Sequence, residues 1–192
     1  MGSSPIIPTA MSHIGKAKII LLDQTYFNLS DYDLNYNLIQ IDGKLGSLEC
    51  KVHKKIKVEL NDNVISLEPE IDTKYYKALW GLSRTLINNM IIGVSKGYTY
   101  KLSIVGIGYR ASILDSNLIL KIGFSHDITC KIPKDVQMEV INGTTIEIKG
   151  IDKQKVSSIC NMIRSFKKPD SYKGKGIRFF KENVSLKQGK RG

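Results

Sequence analysis

Sliding the chain along itself by 80 residues brings its two halves into register almost without gaps, and this self-match limits the possible folds more than any other feature. Leu34, Asn37, Leu38, Ile39, Gly43, Cys50, Lys51, Lys54, Glu59, Ile71, Asp72 and Arg84 meet identical residues at Leu114, Asn117, Leu118, Ile119, Gly123, Cys130, Lys131, Lys134, Glu139, Ile151, Asp152 and Arg164. Apolar positions follow suit, with Leu48 against Ile128, Ile56 against Val136 and Leu60 against Val140. So many identities on a shared apolar pattern do not arise by coincidence. The chain is two copies of one fold.

Each copy reads as four strands and a helix. Strands are expected over 38–41, 48–52, 56–60 and 64–67, and again over 118–122, 128–132, 136–140 and 145–148, with Asn- and Gly-bearing turns between them. Asp72 and Asp152 stand where a helix N-cap belongs. The helix stripes then run through Tyr75, Leu79, Leu82, Leu86 and Met90, and through Val156, Ile159, Met162, Ile163 and Phe166. Tyr76 and Trp80 lie beside the first stripe, which makes them packing residues before base-stacking ones. The fold class is α+β, two tandem copies of a small antiparallel sheet covered by one helix. Residues 93–98 break the first helix and mark the seam. This gives a domain at 1–92, led by a short leader at 1–10, and a second at 93–192; the polar stretch 23–37 is an elaborated strand or loop.

Charge separates the copies. After residue 160 the chain carries Arg164, Lys167, Lys168, Lys173, Lys175, Arg178, Lys181, Lys187, Lys190 and Arg191 against only Asp170 and Glu182, so most of the formal +11 sits in its last sixth. Two readings fit such a segment: a solvated tail that keeps the chain soluble, or an element matched to a polyanion, commonly a nucleic-acid backbone. Tyr172-Lys173-Gly174-Lys175-Gly176-Ile177-Arg178-Phe179 interleaves aromatics, glycines and bases. Glycines let amides approach phosphates, bases neutralise them, and Ile177 and Phe179 supply a strand anchor. Arg164, about 140° from the middle of its helix stripe at 100° per residue, is expected to face outward beside Lys168.

Other chemistries find little purchase. Cys50, Cys130 and Cys160, like the three histidines, are too scattered for a zinc ribbon or a CxxC pair, so neither metal nor cofactor is expected. Val105-Gly106-Ile107-Gly108-Tyr109-Arg110 holds a GxG without the third glycine or the following helix of a dinucleotide site. It reads as a strand with Arg110 free to meet a phosphate. Lys173-Gly174-Lys175-Gly176 is not a P-loop, no nucleophile–base set gathers, and no run is apolar for long enough to span a membrane. A catalytic role, a small-molecule substrate and a membrane partner are therefore not expected. A protein-interaction module docking an acidic partner remains the competing reading.

Met11-Ser12-His13-Ile14-Gly15-Lys16, Gly93-Val94-Ser95-Lys96-Gly97-Tyr98, Val105-Gly106-Ile107-Gly108-Tyr109-Arg110-Ala111, Lys149-Gly150-Ile151-Asp152-Lys153-Gln154 and above all Tyr172-Lys173-Gly174-Lys175-Gly176-Ile177-Arg178 together resemble one family. It is the sixth protein of the large ribosomal subunit, in its bacterial and plastid form. The resemblance implies a non-catalytic RNA binder whose second domain grips large-subunit ribosomal RNA near the base of the factor-binding stalk, among neighbouring ribosomal proteins. The residues it carries over are Lys96, Arg164, Lys173, Lys175, Arg178 and Lys187; Arg110, Lys167, Lys168, Tyr172, Lys190 and Arg191 join them from the charge pattern. Lys outnumbers Arg by 24 to 5 and Ile outnumbers Ala by 27 to 4, a bias of AT-rich coding. With no transit peptide evident, that bias points first to a plastid and then to a bacterial or mitochondrial ribosome.

Overall fold

Alternating branched aliphatic and polar residues give the strands one buried face each, and these faces dictate how the chain stacks. The structure, a computed structural model, describes residues 13–22 and 24–188. The chain divides between Lys96 and Gly97 into two compact units. The first contains α1 (His13–Lys16), β1 (Ile19–Ile20), β2 (Tyr26–Asp31), β3 (Tyr36–Gly43), β4 (Gly46–His53), β5 (Ile56–Asn61), β6 (Val64–Pro69) and α2 (Lys74–Lys96). The second contains β7 (Tyr98–Val105), β8 (Arg110–Leu114), β9 (Asn117–Lys121), β10 (Ile128–Lys131), β11 (Val136–Ile141), β12 (Thr145–Gly150), α3 (Lys153–Phe166) and β13 (Gly176–Phe179). The α+β class and the duplication hold, since β3 to β6 and α2 recur as β9 to β12 and α3. Within each unit the strands share out between two antiparallel sheets. The orders are β2-β3-β4 and β1-β6-β5, then β8-β9-β10 and β11-β12-β7-β13. The stretch expected as strand or loop is the strand β2 followed by a turn into β3.

Strand pairing corrects the self-match by one residue. Ile39 pairs with Cys50 and Leu118 with Cys130, so β9 follows β3 by 79 residues while β10 follows β4 by 80. A slip of one turns a side chain to the opposite face. The identical Leu38 and Leu118 accordingly differ in environment: Leu118 is fully buried like Ile39, and Leu38 only half-buried. The extra residue of the second copy lies in the connection from β9 to β10. There, Ile122 is buried at the place that Gly43 takes in the first.

Helix ends follow local chemistry. The Asp152 carboxylate caps α3, accepting from the amides of Gln154 at 2.8 Å and Lys155 at 3.5 Å. Asp72 does not do the same for α2. Thr73 Oγ1 accepts from the Tyr76 amide at 3.5 Å, and Asp72 pairs instead with Lys77 Nζ at 2.6 Å. The stripe that α2 buries is Trp80, Ser83, Ile87, Met90, Ile91 and Val94, rotated from the expected one; Tyr75 and Leu82 face water. Trp80 fixes this phase by donating its indole N–H to the Leu67 carbonyl at 2.7 Å and lying against Gly15, where a Cβ would come within 2.6 Å of the ring. On α3 Val156, Ile159 and Ile163 are buried as expected, with Cys160 beside them and Met162 outside.

Gly93 does not break α2. A buried glycine costs a helix only about 1 kcal/mol, and the helix continues to Lys96 before Gly97, at φ +73°, ends it in the left-handed conformation of a C-terminal cap. The GxG segment is likewise a turn between β7 and β8 instead of a strand: Gly108 has φ +76° and Tyr109 folds over Gly106.

Candidate nucleic-acid interface

α3 ends at Phe166 with Lys167 as its C-cap, Pro169 just beyond has no N–H with which the helix could resume, and the chain turns into a loop over 167–176. Asp170, the one acid in that loop, is spent on its backbone. Its carboxylate accepts from the Lys173 amide at 3.1 Å, its carbonyl accepts from Gly174 N at 3.0 Å, and its own amide donates to the Lys175 carbonyl at 3.0 Å. Gly174 supplies the φ of +66° that this turn needs. The loop closes where the Ile177 amide donates to the Lys167 carbonyl at 2.8 Å. Gly176 passes so near that a Cβ there would lie 2.6 Å from the Lys168 oxygen.

β13 then anchors the loop. It pairs with β7 through Ile177↔Ile104 and Arg178↔Ser103, and Ile177 is wholly buried. The return segment is tied down by Phe180 N donating to the Lys101 carbonyl and Lys187 N to the Ser171 carbonyl, both at 2.8 Å. Arg164, expected outside, is folded back onto this strand. Its Nη2 donates to Glu182 Oε1 at 2.6 Å and its guanidinium lies 5.7 Å from the Phe179 ring centroid, while Glu182 Oε2 accepts from Phe179 N at 2.9 Å. The Phe179 amide, followed by Arg164, holds the Glu182 carboxyl below its usual range.

The electrostatic outcome is a set of cations with no carboxylate in ion-pair contact among the described residues, with Arg178 lying within electrostatic range of Glu182. Lys167, Lys168, Lys173, Lys175, Arg178 and Lys187 form no ion pair among the described residues, and Lys168, Tyr172, Lys173 and Lys187 are exposed. In the first unit Lys54, Lys55 and Lys77 are matched to Asp31, Glu70 and Asp72. A loop with four lysines against one acid, Asp170, whose carboxylate is engaged by the Lys173 amide, is suited to a polyanion.

The family profile described as Ribosomal protein L6 matches residues 33–97 and 105–179, one match within each copy. The chain belongs to the ribosomal protein L6 family. The large ribosomal subunit protein uL6 of Alkaliphilus metalliredigens is 44% identical over 156 residues, 81% of this chain and 87% of its own length. The uL6m protein of Reclinomonas americana is 44% identical, over 94% of this chain and all of its own length. The uL6c protein of Porphyra purpurea is 43% identical, covering 95% and 98%. As a member of the L6 family the protein is a structural constituent of the large ribosomal subunit. Its relatives include bacterial, mitochondrial and plastid types at nearly equal identity, so kinship does not choose among compartments.

Within this L6-family chain the expected contact residues do not all share one place. Lys167, Lys168, Tyr172, Lys173, Lys175 and Arg178 are brought together by the loop and β13, with Lys187 tied beside Ser171. Arg110 is exposed at the start of β8, in the other sheet of the second unit, and Lys96 is exposed on the last turn of α2 in the first unit. Lys190 and Arg191 lie outside the described residues, as do the leader at 1–10 and Met11-Ser12. Phe124 and His126, on the β9–β10 connection, were not expected at the site. Lys167 Nζ nevertheless sits 4.5 Å from the Phe124 ring centroid. An aromatic and a histidine between glycine and aspartate, in a segment with no strand periodicity, was the available signal. No helix among the described residues is long and apolar enough to cross a membrane.

Proposed function

We propose that this protein binds large-subunit ribosomal RNA through the loop at 167–176, β13 and the segment returning past Lys187, and that it does so without catalysis, near the base of the factor-binding stalk. The observation that carries the reading is the set of lysines on a braced loop whose one acid is turned onto the Lys173 amide. Arg178 and Lys187 extend the cationic surface, Lys96 and Arg110 are proposed as outlying phosphate contacts, and Lys190 and Arg191 would continue it beyond the described residues. Arg164 belongs to the set as the residue that secures β13; its Nε is buried, so only the outer N–H groups it does not give to Glu182 are proposed for phosphate. The neighbours would be other large-subunit proteins. The lysine- and isoleucine-rich composition favours a plastid ribosome.

Each phosphate contact contributes about 0.9 to the slope of log affinity against log salt on a duplex, and about 0.7 on single strands. Reversing Lys173, Lys175 and Arg178 to Glu in the full chain should therefore weaken binding to protein-free large-subunit RNA and flatten that slope by about 2–3. An unchanged affinity and slope would sink the assignment. Nuclease treatment of a lysate separates this reading from docking on an acidic protein, because an RNA-held protein leaves the fast-sedimenting fraction and a protein-held one stays.

A further inference from the structure

The cationic loop adjoins an aromatic shelf that contact with an RNA backbone leaves unused. In the β9–β10 connection the rings of Phe124 and His126 stack, with centroids 6.2 Å apart and planes 23° from parallel, and Phe124 keeps 44% of its surface exposed. Neither core packing nor strand pairing accounts for a phenylalanine held in water there. Lys167 links the shelf to the loop, since its ammonium stands over Phe124 while its carbonyl accepts from Ile177 N. The nearby acid, Asp127, is answered by Lys121 at 3.5 Å. In the first unit the corresponding turn is filled from inside: Leu45 N donates to the Val94 carbonyl at 3.0 Å, and Gly43 admits the Val94 side chain.

We propose that the Phe124–His126 shelf receives one unpaired nucleobase of the bound RNA, while Lys167 exchanges the phenyl face for the adjoining phosphate. The inference rests on the RNA-binding reading above and deepens it. Cations alone cannot distinguish paired from unpaired RNA of equal charge, whereas a flat apolar shelf can, because only a base out of its stack offers a free face. Lys167 over the ring and the unpaired lysines of the loop it begins favour an occupant in which every aromatic ring adjoins a negative charge, as in a nucleotide chain.

The test uses the full chain and two RNA duplexes, one fully paired and one identical except for a single bulged 2-aminopurine. Wild type should prefer the bulged RNA by about tenfold and quench its fluorescence, as expected for one stacked base. Phe124→Ala should abolish the preference and the quenching while leaving affinity for paired RNA and its salt slope unchanged; Phe124→Trp should keep both. Lys173→Glu with Lys175→Glu should weaken both complexes and preserve their ratio. Equal binding of the two RNAs with a steep salt slope, or a preference that survives Phe124→Ala, would overturn the shelf alone. Failure of wild type to bind either RNA would overturn the RNA-binding reading as well.

Discussion

Residues 72–86 of the first unit and 152–166 of the second follow one plan, and at the next residue they part. In the first, Ile87, Met90, Ile91 and Val94 extend the buried stripe, so α2 runs on to Lys96. The same positions in the second copy are 167–176, where Lys167, Lys168 and Pro169 offer nothing to bury and end the helix. What was helix becomes the cationic loop. Val94 packs over Gly43 in the first copy; at the matching position of the second Ile122 is itself buried, and Phe124 and His126 beyond it are exposed. Both units keep a scaffold of aliphatic side chains; the difference is that one continues to bury its chain and the other stops early, then holds the released segment in place with amides, Gly176 and β13. Lys54, Lys55 and Lys77 of the first unit are paired with acids, and so are Lys101, Lys121, Lys149 and Lys155 on the strands and helix of the second; the lysines of the loop are not.

The sharpest way to break this comparison lies at its diverging ends, Gly176 and its counterpart Lys96. Gly176 has φ +145°, and a Cβ there would meet the Lys168 oxygen at 2.6 Å and the Lys167 oxygen at 2.9 Å. These are backbone atoms that cannot swing aside. Strain of about 1–3 kcal/mol for the conformation, with a similar sum for overpacking, puts Gly176→Ala at about 2–6 kcal/mol. Lys96→Ala, on an exposed helix end, should stay within about 0.5 kcal/mol. Denaturant unfolding checks both. A Gly176→Ala protein as stable as Lys96→Ala would mean the loop is not braced as described.

Much of this was legible from the chain itself. Twelve identities at a spacing of 80 disclosed the duplication, and strand alternation placed most of the core. Two elements differ from the sequence pattern for one reason: a partner distant in the chain overrides the short-range signal. The phase of α2 is set by Trp80 reaching Leu67 and Gly15, contacts distant in sequence; carrying Val156, Ile159 and Ile163 back by 80 gives Tyr76, Leu79 and Ser83, close to the true face. Arg164 was placed outward by its angle on the helix. Glu182, 18 residues on, draws it back through β13. The cationic loop could be seen as composition, but its closure by Asp170 and Gly176 required the fold. Phe124 is not legible in the sequence, because its stacking against His126 and Lys167 involves a loop without periodicity.

The duplicated arginines sharpen the comparison further. Arg84 Nε donates to the Ala17 carbonyl at 3.2 Å, a single exposed hydrogen bond. Arg164 holds a half-buried carboxylate that also receives the Phe179 amide, so removing it strands Glu182 beside the strand it orders. Arg164→Ala is expected to cost about 1–3 kcal/mol, as for a partner left unsatisfied, and Arg84→Ala about 0.5–1.5 kcal/mol. Hydrogen exchange in β13 should quicken only in the Arg164 variant. Equal exchange in the two would show that the second arginine does not secure the strand.

Acid separates the units by a smaller margin. Glu182 and Glu70 both have carboxyls held below their usual range, the first chiefly by the Phe179 amide and the second by Lys55. A carboxyl lowered on folding adds stability that is present above its unfolded value, about 4.3, and is lost as pH falls through the lower folded value. Glu182 owes most of its shift to a fixed amide next to β13, which salt screens poorly. Glu70 and Lys55 form an exposed pair that salt screens well. The Phe179 amide should therefore stay protected from exchange at pH 5, lose protection only well below the ordinary glutamate range, and do so at nearly the same pH in low and high salt. The Glu70 titration should move toward its usual value as salt is added. If salt shifted both carboxyls alike, Glu182 would be an ordinary surface charge and the anchoring of β13 would have to come from Ile177 and the pairing with β7.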